Sequence, residues 1–121
     1  MIYFVGPDAA FPCCGSATMS DVVEYCSKKT ELGVDTETEG FDFTCKKMIM
    51  FQIGDESNQY VIDTRHVSIE PLRSVLEDVN ITKIFHNAKF DYKFIKKWSG
   101  ITCQGVYDTF LVEVVNNCGR K

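Results

Sequence analysis

Two acidic side chains, Asp35 and Glu37, stand two positions apart in the segment GVDTE at 33–37. The segment has the pattern of a β-strand, and the side chains of a strand alternate between its two faces. Both carboxylates therefore point to one face, about 7 Å apart along the strand. Their charges repel each other unless a cation lies between them, and carboxylate oxygens suit Mg²⁺ or Mn²⁺. The pair is either a metal site or the exposed acidic end of a strand.

A third carboxylate, Asp91, falls on the apolar stripe of a predicted helix that begins in the segment HNAKFD at 86–91. The stripe continues at Phe94, Ile95 and Trp98. An aspartate on the buried face of a helix needs a partner, because an unpaired buried charge is costly. Asp91 is either a cap in the first helical turn, where the helix dipole favours a carboxylate, or a third metal ligand that faces the pair on the strand.

Polar and basic side chains surround this helix. His86 and Asn87 either hydrogen-bond a substrate or satisfy the turn from strand to helix. Five of the 13 basic residues are concentrated here, namely Lys83, Lys89, Lys93, Lys96 and Lys97. They form either a solvated helix face or a surface that faces phosphate.

The hydrophobic spacing predicts the elements that must position these groups. Strands are expected at 1–5, 31–37, 47–53, 59–62, 82–85 and 101–107. A first helix is expected from Thr18 or Ser20, with an apolar stripe at Met19, Val22, Val23 and Cys26, and a second from Ser68, with a stripe at Leu72, Val75, Leu76 and Val79. A third is expected over 88–98 with a stop at Gly100. A final helix is expected from a cap at Asp108, with a stripe at Leu111, Val114, Val115 and Cys118 before Gly119. This order predicts one α/β domain over residues 1–121, with a mixed sheet and helices packed on its faces. The pattern indicates no role for residues 1–17.

The overall composition limits the classes of partner that the chain is expected to bind. A net charge of −4 excludes a protein that holds nucleic acid by its overall field, so any nucleic-acid binding needs a local site with a cation. No segment reaches the roughly 20 apolar residues of a membrane span, and the N-terminus lacks a basic signal-peptide region. No membrane partner is therefore expected. The six cysteines show no C-x-x-C spacing, which favours free thiols in a reducing compartment over a disulfide framework.

The two acidic segments together resemble a known family. VDTETEG at 34–40 and HNAKFD at 86–91 are similar to the first and second exonuclease motifs of the DEDD (DnaQ-like) superfamily, and YDTFL at 107–111 resembles its D-T-x-L segment. The resemblance covers residues 31–121 and is strongest to the proofreading 3′-5′ exonuclease domain of family A DNA polymerases, with RNase D as a cousin. It implies an RNase H-like fold with a five-stranded mixed sheet, and a place in bacterial or phage-infected host cytoplasm.

The resemblance also implies roles for the acids. Asp35 would bridge two Mg²⁺ or Mn²⁺ ions, Glu37 would bind one of them and touch the terminal nucleotide, and Asp91 would hold the second ion, partly through water. The implied reaction is two-metal hydrolysis of a phosphodiester, in which one ion activates the attacking water and the other stabilises the leaving 3′ oxygen.

Further positions match the substrate-binding part of the family pattern. Asn87 would contact substrate, Phe41 would wedge against the terminal base, and the backbone near Thr36 and Thr38 would meet the 3′ end. The implied partner is the single-stranded 3′ end of DNA, with RNA as the other substrate that these motifs allow.

The family has a fourth acid in a later Y-x-x-x-D or H-x-x-x-D motif. After Asp91 the sequence offers only Asp108 and Glu113, and Gln104 stands four positions before Asp108. The chain is therefore expected to stop before the third exonuclease motif, as a partial domain whose partner is the remainder of a DNA polymerase. The alternative is a catalytically silent RNase H-like module that binds nucleic acid or serves in assembly.

With one ligand of the family pattern missing, we expect low or no nuclease activity from these 121 residues alone. The measurement is 3′ trimming of a labelled single-stranded oligonucleotide in the presence of Mn²⁺. Robust trimming that disappears in Asp35→Ala would contradict this expectation.

Overall fold

A computed structural model describes residues 1–7, 14–110 and 112 of the chain. These residues form one sheet of seven strands with the order β2-β1-β5-β4-β3-β6-β7. The strands are β1 (Ile2–Val5), β2 (Gly15–Ser16), β3 (Glu31–Thr38), β4 (Met48–Gly54), β5 (Gln59–Asp63), β6 (Thr82–Phe85) and β7 (Val106–Asp108).

The predicted meander is present, since β3, β4 and β5 pair antiparallel in sequence order. β6 lies parallel to β3, and β7 lies parallel to β6, which makes the sheet mixed, as predicted. Five neighbouring strands of the sheet, β5, β4, β3, β6 and β7, correspond to the predicted five-stranded sheet. Two more strands extend it, because β1 pairs parallel with β5 and β2 pairs with β1. The described part of residues 1–17 therefore lengthens one edge of the sheet.

The last predicted strand is shorter than the sequence pattern indicated. Only Val106–Asp108 joins the sheet, whereas 101–104 have no regular secondary structure. Ile101 and Cys103 are nevertheless buried, so their alternation reflects burial in the core rather than pairing in a sheet. The Gln104 N–H is bonded to the Leu76 carbonyl at 2.9 Å, away from any strand.

Three α-helices are described, α1 (Met19–Ser27), α2 (Arg73–Leu76) and α3 (Ala88–Ser99), and a 3₁₀ turn at Glu70–Leu72 leads into α2. Thr18 caps α1 through a reciprocal pair of hydrogen bonds with Asp21. Gly100 ends α3 as predicted, in the left-handed conformation that glycine adopts without strain. The prediction for α2 was too long, because the helix ends at Leu76 and Val79 is exposed rather than part of its buried stripe.

All the described helices contribute to one core on one face of the sheet. In β3 the buried side chains are Leu32, Val34 and Thr36, and the register pairs the last two with Ile53 and Phe51 of β4. The opposite face carries the exposed side chains of the strands. Helices thus cover one face of the sheet in the described residues, where the sequence pattern had predicted helices on its faces.

The prediction for Lys83 was wrong, because the sequence pattern grouped this residue with the surface lysines near α3. Its side chain is completely buried, because it lies on the covered face of β6 opposite Leu32. The Nζ atom donates to the Asp78 carbonyl at 2.5 Å, and burial lowers the pKa of the amine.

The remaining predictions concern cysteines, membrane helices and the final helix. Cys26, Cys45 and Cys103 are free thiols. None of the described helices is long and apolar enough to cross a membrane. Thr109 and Phe110 begin the predicted final helix with helical backbone. The positions 111, 113–115, 118 and 119 of that helix lie outside the described residues.

Lys83→Met is expected to raise the free energy of unfolding at pH 7 by about 1 kcal/mol, because it removes a desolvated charge. The Asp78 carbonyl keeps the Ile81 N–H as a donor at 3.2 Å. Because folding lowers the pKa of Lys83, the unfolded chain binds more protons, and the wild type gains stability as pH rises toward 10.5.

Urea unfolding at several pH values measures this difference. The advantage of Lys83→Met should shrink between pH 7 and pH 10. Lys28→Met is the matched control, since the Lys28 side chain is 71% exposed and pairs only with Glu24 on the surface of α1. A variant that is less stable than the wild type at pH 7 would contradict the prediction.

Candidate active site

The strand β3 separates its acidic and neutral side chains as the alternation predicts. Asp35 and Glu37 are exposed on the open face of the sheet, and Thr36 between them is buried on the covered face. A groove of ≈ 460 Å³ runs beside Asp35 on the open face, and its lining includes Gln52 and His86. The carboxylate pair therefore lies in solvent-accessible surroundings where a cation can reach it.

Asp91 approaches β3 from the covered face. The residue lies in the first turn of α3 and is only 3% exposed. Its Oδ1 atom accepts a short hydrogen bond from the Thr36 hydroxyl. The helix cap position belongs to Asn87, so Asp91 meets its need for a partner through β3 rather than by capping α3.

Burial raises the pKa of Asp91 from its ordinary value of 3.8 to about 6. The Thr36 hydroxyl opposes this rise by stabilising the carboxylate, whereas the charges of Asp35, Asp108 and Glu37 add to it. The negative charges of Asp35, Asp108 and Glu37 therefore disfavour ionisation of Asp91. The site holds an excess of negative charge that a cation would relieve.

The acids do not form a single three-ligand cluster. Within residues 1–7, 14–110 and 112, no three Asp, Glu, His or Cys side chains are grouped closely enough to hold a metal ion. Asp91 bonds instead to Thr36, whose side chain is buried on the face of β3 opposite Asp35 and Glu37.

Asp108 organises the backbone at the start of α3, a role that the sequence did not indicate. The pairing of Phe85 with Asp108 places this aspartate beside the turn that enters α3. Its carboxylate oxygens accept the N–H groups of Asn87 at 2.9 Å and Ala88 at 2.8 Å, which a helix start leaves without internal partners. It also accepts the Phe110 N–H at 3.0 Å, which confirms the predicted cap of the final helix.

The turn itself is strained at Asn87, which has a φ of 66°. Asparagine tolerates this left-handed conformation better than most residues do. The Asn87 side chain makes no capping bond, and the residue is exposed. The bonds from Asp108 hold the backbone of the turn, so the Asn87 amide is presented to solvent at the entrance to α3.

The His86 ring is fixed by Thr109. The Thr109 hydroxyl donates its hydrogen to the Phe85 carbonyl at 3.1 Å, so the His86 Nδ1 atom, 2.9 Å away, must donate to Thr109. This geometry assigns a proton to Nδ1. His86 therefore stabilises the turn from strand to helix, which is one of the two roles that the sequence left open. It also lines the groove beside Asp35.

Phe41 lies in a second concave surface next to the carboxylates. The residue is 90% exposed, and its ring meets the Phe90 ring edge-on at 5.8 Å. A groove of ≈ 450 Å³ is lined by Phe41, Asp42, Phe43, Asn87, Lys89, Phe90, Lys93 and Phe94. The aromatic faces suit base stacking, and the two lysines suit phosphate. The structure therefore places Phe41 and Asn87 in the lining of one groove.

Thr38 ends β3 at an irregularity in its pairing with β4. Its hydroxyl donates to the Gly40 carbonyl at 2.7 Å, which shapes the turn leading to Phe41. The Thr36 N–H is bonded to the Asp35 carboxylate at 2.9 Å. Both threonines thus shape the strand end around the acids.

Residues 14–121 match the family described as 3′-5′ exonuclease. The chain belongs to this 3′-5′ exonuclease family. The resemblance of its two acidic motifs to DEDD exonucleases is thereby confirmed. The chain is also 34% identical over 98 residues to DNA polymerase I of Aquifex aeolicus, an alignment that covers 80% of this chain and 16% of that protein. The chain thus spans less than one fifth of this relative.

Solved structures of other proteins share the fold. Brucella melitensis NrnC superposes with a TM-score of 0.77 and 23% identity, over 99% of this chain and 54% of that chain. Escherichia coli RNase D, an exoribonuclease involved in structured RNA processing, superposes with a TM-score of 0.76 and 22% identity, over 98% of this chain and 29% of that chain. These likenesses confirm the RNase H-like α/β fold.

Asp91→Asn is expected to stabilise the protein at pH 7.5 in a chelating buffer, on the order of 2 kcal/mol after allowance for solvent screening. Because folding raises the pKa of Asp91 to about 6, the folded chain binds the proton more tightly than the unfolded chain. Protonation therefore favours folding below pH 4, and this contribution is lost as pH rises through 6. Asparagine keeps an oxygen that accepts the Thr36 hydroxyl without the charge.

Thermal unfolding of both proteins between pH 4 and pH 8 tests this sign. The advantage of the variant should be largest above pH 7 and should shrink toward pH 4. Asp42→Asn is a control with the opposite sign, since the bonds to Thr44 lower the pKa of Asp42. An Asp91→Asn variant that is less stable at pH 7.5 would contradict the prediction.

Proposed function

We propose that this chain carries the acidic part of a 3′-5′ exonuclease site that hydrolyses phosphodiester bonds at the 3′ end of single-stranded DNA. The observation that carries the proposal is the contact between the two acidic motifs. The Thr36 hydroxyl, which lies between Asp35 and Glu37, bonds to the Asp91 carboxylate from α3. Two segments whose bonded residues, Thr36 and Asp91, are 55 positions apart thus meet, which supports a joint role for the two motifs.

The donors fit Mg²⁺ or Mn²⁺. Asp35 and Glu37 offer exposed carboxylate oxygens on one face of β3, and hard cations prefer such ligands. Burial raises the pKa of Asp91, and the charges of Asp35 and Glu37 add to this rise, so a cation at the site would stabilise the ionised carboxylate. Asp35 and Glu37 would hold the metal, and Asp91 would join them once its carboxylate leaves the Thr36 hydroxyl. When bound, the two ions would supply an activated water and stabilisation of charge on the leaving oxygen.

Other residues of the chain would bind and orient the strand. The rings of Phe41 and Phe90 would receive the terminal base, and the exposed Asn87 amide would hydrogen-bond the nucleotide. Lys89 and Lys93 line the same groove and would offset the repulsion between phosphate and the acids. The backbone near Thr36 and Thr38 would contact the 3′ end.

DNA is proposed as the substrate because the relative at 34% identity is a DNA polymerase. The structures that share the fold include RNase D, but at 22% identity that likeness concerns the fold alone. The remainder of a DNA polymerase is accordingly the proposed partner of this chain, and RNA is the alternative substrate.

A catalytically silent module that binds nucleic acid is the second candidate. One observation favours it, namely that the described residues hold no three-ligand group. Asp91 lies on the covered side of β3, whereas Asp35 and Glu37 face the open side. Such a module would keep the groove at Phe41 and bind a strand without cleaving it.

Metal binding separates the two candidates. The wild type is expected to bind Mn²⁺ in a titration followed by electron paramagnetic resonance, and Asp35→Asn should weaken binding at least about tenfold, because it removes a direct carboxylate ligand. Glu31→Gln is the matched control. Glu31 is exposed on the same face of β3, about 14 Å from Asp35, so this variant should bind like the wild type.

The outcome that contradicts the exonuclease proposal is equal Mn²⁺ affinity in the wild type and Asp35→Asn. A wild type that takes up no Mn²⁺ but still binds single-stranded DNA would favour the silent module.

A further inference from the structure

A third concave surface, which we name the basic groove, lies at the C-terminal end of α3. It has a volume of ≈ 520 Å³, and its floor and rim include Lys47, Arg65, His66 and Trp98. Its ten lining residues include two cations and a histidine but no acid. A cavity with this lining stands out in a chain with a net charge of −4 and favours an anionic ligand.

Arg65 is held in place from below by a buried partner. The Asp63 side chain is 7% exposed, and its carboxylate accepts hydrogen bonds from Nε of Arg65 at 2.9 Å and from Nη2 at 3.1 Å. A guanidinium has five N–H donors in a fixed fork, and this arrangement uses two of them. The Arg65 side chain is 56% exposed and can direct its other donors outward. The groove therefore contains an oriented guanidinium of the kind that binds phosphate.

Trp98 supplies an aromatic surface at the rim of the basic groove. Its Nε1 atom donates to the Lys46 carbonyl at 2.7 Å, which fixes the orientation of the indole. The residue is still 41% exposed, although the helix stripe predicted burial. An indole that is fixed at one edge and open to solvent suits stacking of a nucleobase.

Two paths along the chain connect the basic groove to the acidic motifs, one to Asp91 and one to Glu37. Trp98 lies seven positions after Asp91 on α3, which is about 10 Å along the same side of the helix. The second path follows β3, where Glu39, two positions after Glu37, bonds through its backbone N–H to the Lys47 carbonyl at 3.0 Å. Two positions along a strand span about 7 Å. The groove thus begins within a few nucleotides' reach of the carboxylate pair.

We propose that the basic groove binds an upstream nucleotide of the same single strand whose 3′ end lies at Asp35 and Glu37. Lys47, Arg65 and His66 would hold a phosphate, and Trp98 would stack on a base. This subsite rests on the proposed exonuclease function and extends it, because it makes binding depend on the length of the strand.

The experiment measures binding of 5′-fluorescein-labelled oligothymidylates of 2, 4 and 8 nucleotides by fluorescence anisotropy, with Ca²⁺ in place of Mg²⁺. Trp98→Leu should weaken the 8-mer about five- to tenfold and leave the dinucleotide unchanged. Lys47→Gln should lower the salt slope of 8-mer binding by about 0.7, the value for loss of one phosphate contact on a single strand. Neither variant leaves the buried Asp63 without Arg65.

Two controls accompany these variants. Lys28→Gln removes one positive charge from the exposed surface of α1 and should bind every length like the wild type. Phe41→Ala acts at the other groove and should weaken the dinucleotide and the 8-mer alike. Circular dichroism and thermal unfolding of each variant confirm that it is folded.

The subsite is overturned if Trp98→Leu and Lys47→Gln leave 8-mer binding unchanged, or if they weaken both lengths equally. In that case, binding that is still sensitive to Phe41→Ala would leave the proposed function standing. A wild type that binds none of the three lengths would overturn the subsite and the proposed function together.

Discussion

The hydrogen bond from the Thr36 hydroxyl to the Asp91 carboxylate is the interaction on which the acidic site depends. It joins the central strand β3 to α3 across the core, and it supplies the partner that a buried carboxylate needs. Its cost is visible in the raised pKa of Asp91, since burial and the neighbouring acids both disfavour the charged form. A protein that only had to be stable would gain by replacing such a group with an apolar one, which is why strongly shifted acids mark functional sites.

Asp108 differs from Asp35 and Glu37 in what its carboxylate contacts. Asp108 directs its oxygens to the backbone N–H groups of Asn87, Ala88 and Phe110, and thereby fixes the turn that carries the HNAKFD motif. Asp35 and Glu37 instead face solvent on the open side of the sheet. Asp108 builds the frame, whereas Asp35 and Glu37 remain available to a cation. Lysine and arginine side chains are concentrated locally, in two grooves at either end of α3.

Sequence reasoning succeeded where a local period decides the outcome. The alternation of β3, the meander and the span of α3 follow from spacings of two and 3.6 residues, and all three agree with the structure. It failed where burial comes from distant packing. Ile101 and Cys103 alternate like strand residues but are buried in a loop, Val79 follows a helical stripe but lies beyond the helix, and Lys83 has a polar end but occupies the core.

By itself, the sequence determined the family, because the two acidic motifs combine characteristic residue types and spacings. It also determined that Asp35 and Glu37 share a face, since strand geometry leaves no alternative. Only the tertiary structure decided that Asp91 bonds to Thr36, that Asp108 holds the start of α3, and that Arg65 and Trp98 share one groove. These contacts join residues 20 to 55 positions apart, and no local period records which distant segments pack together.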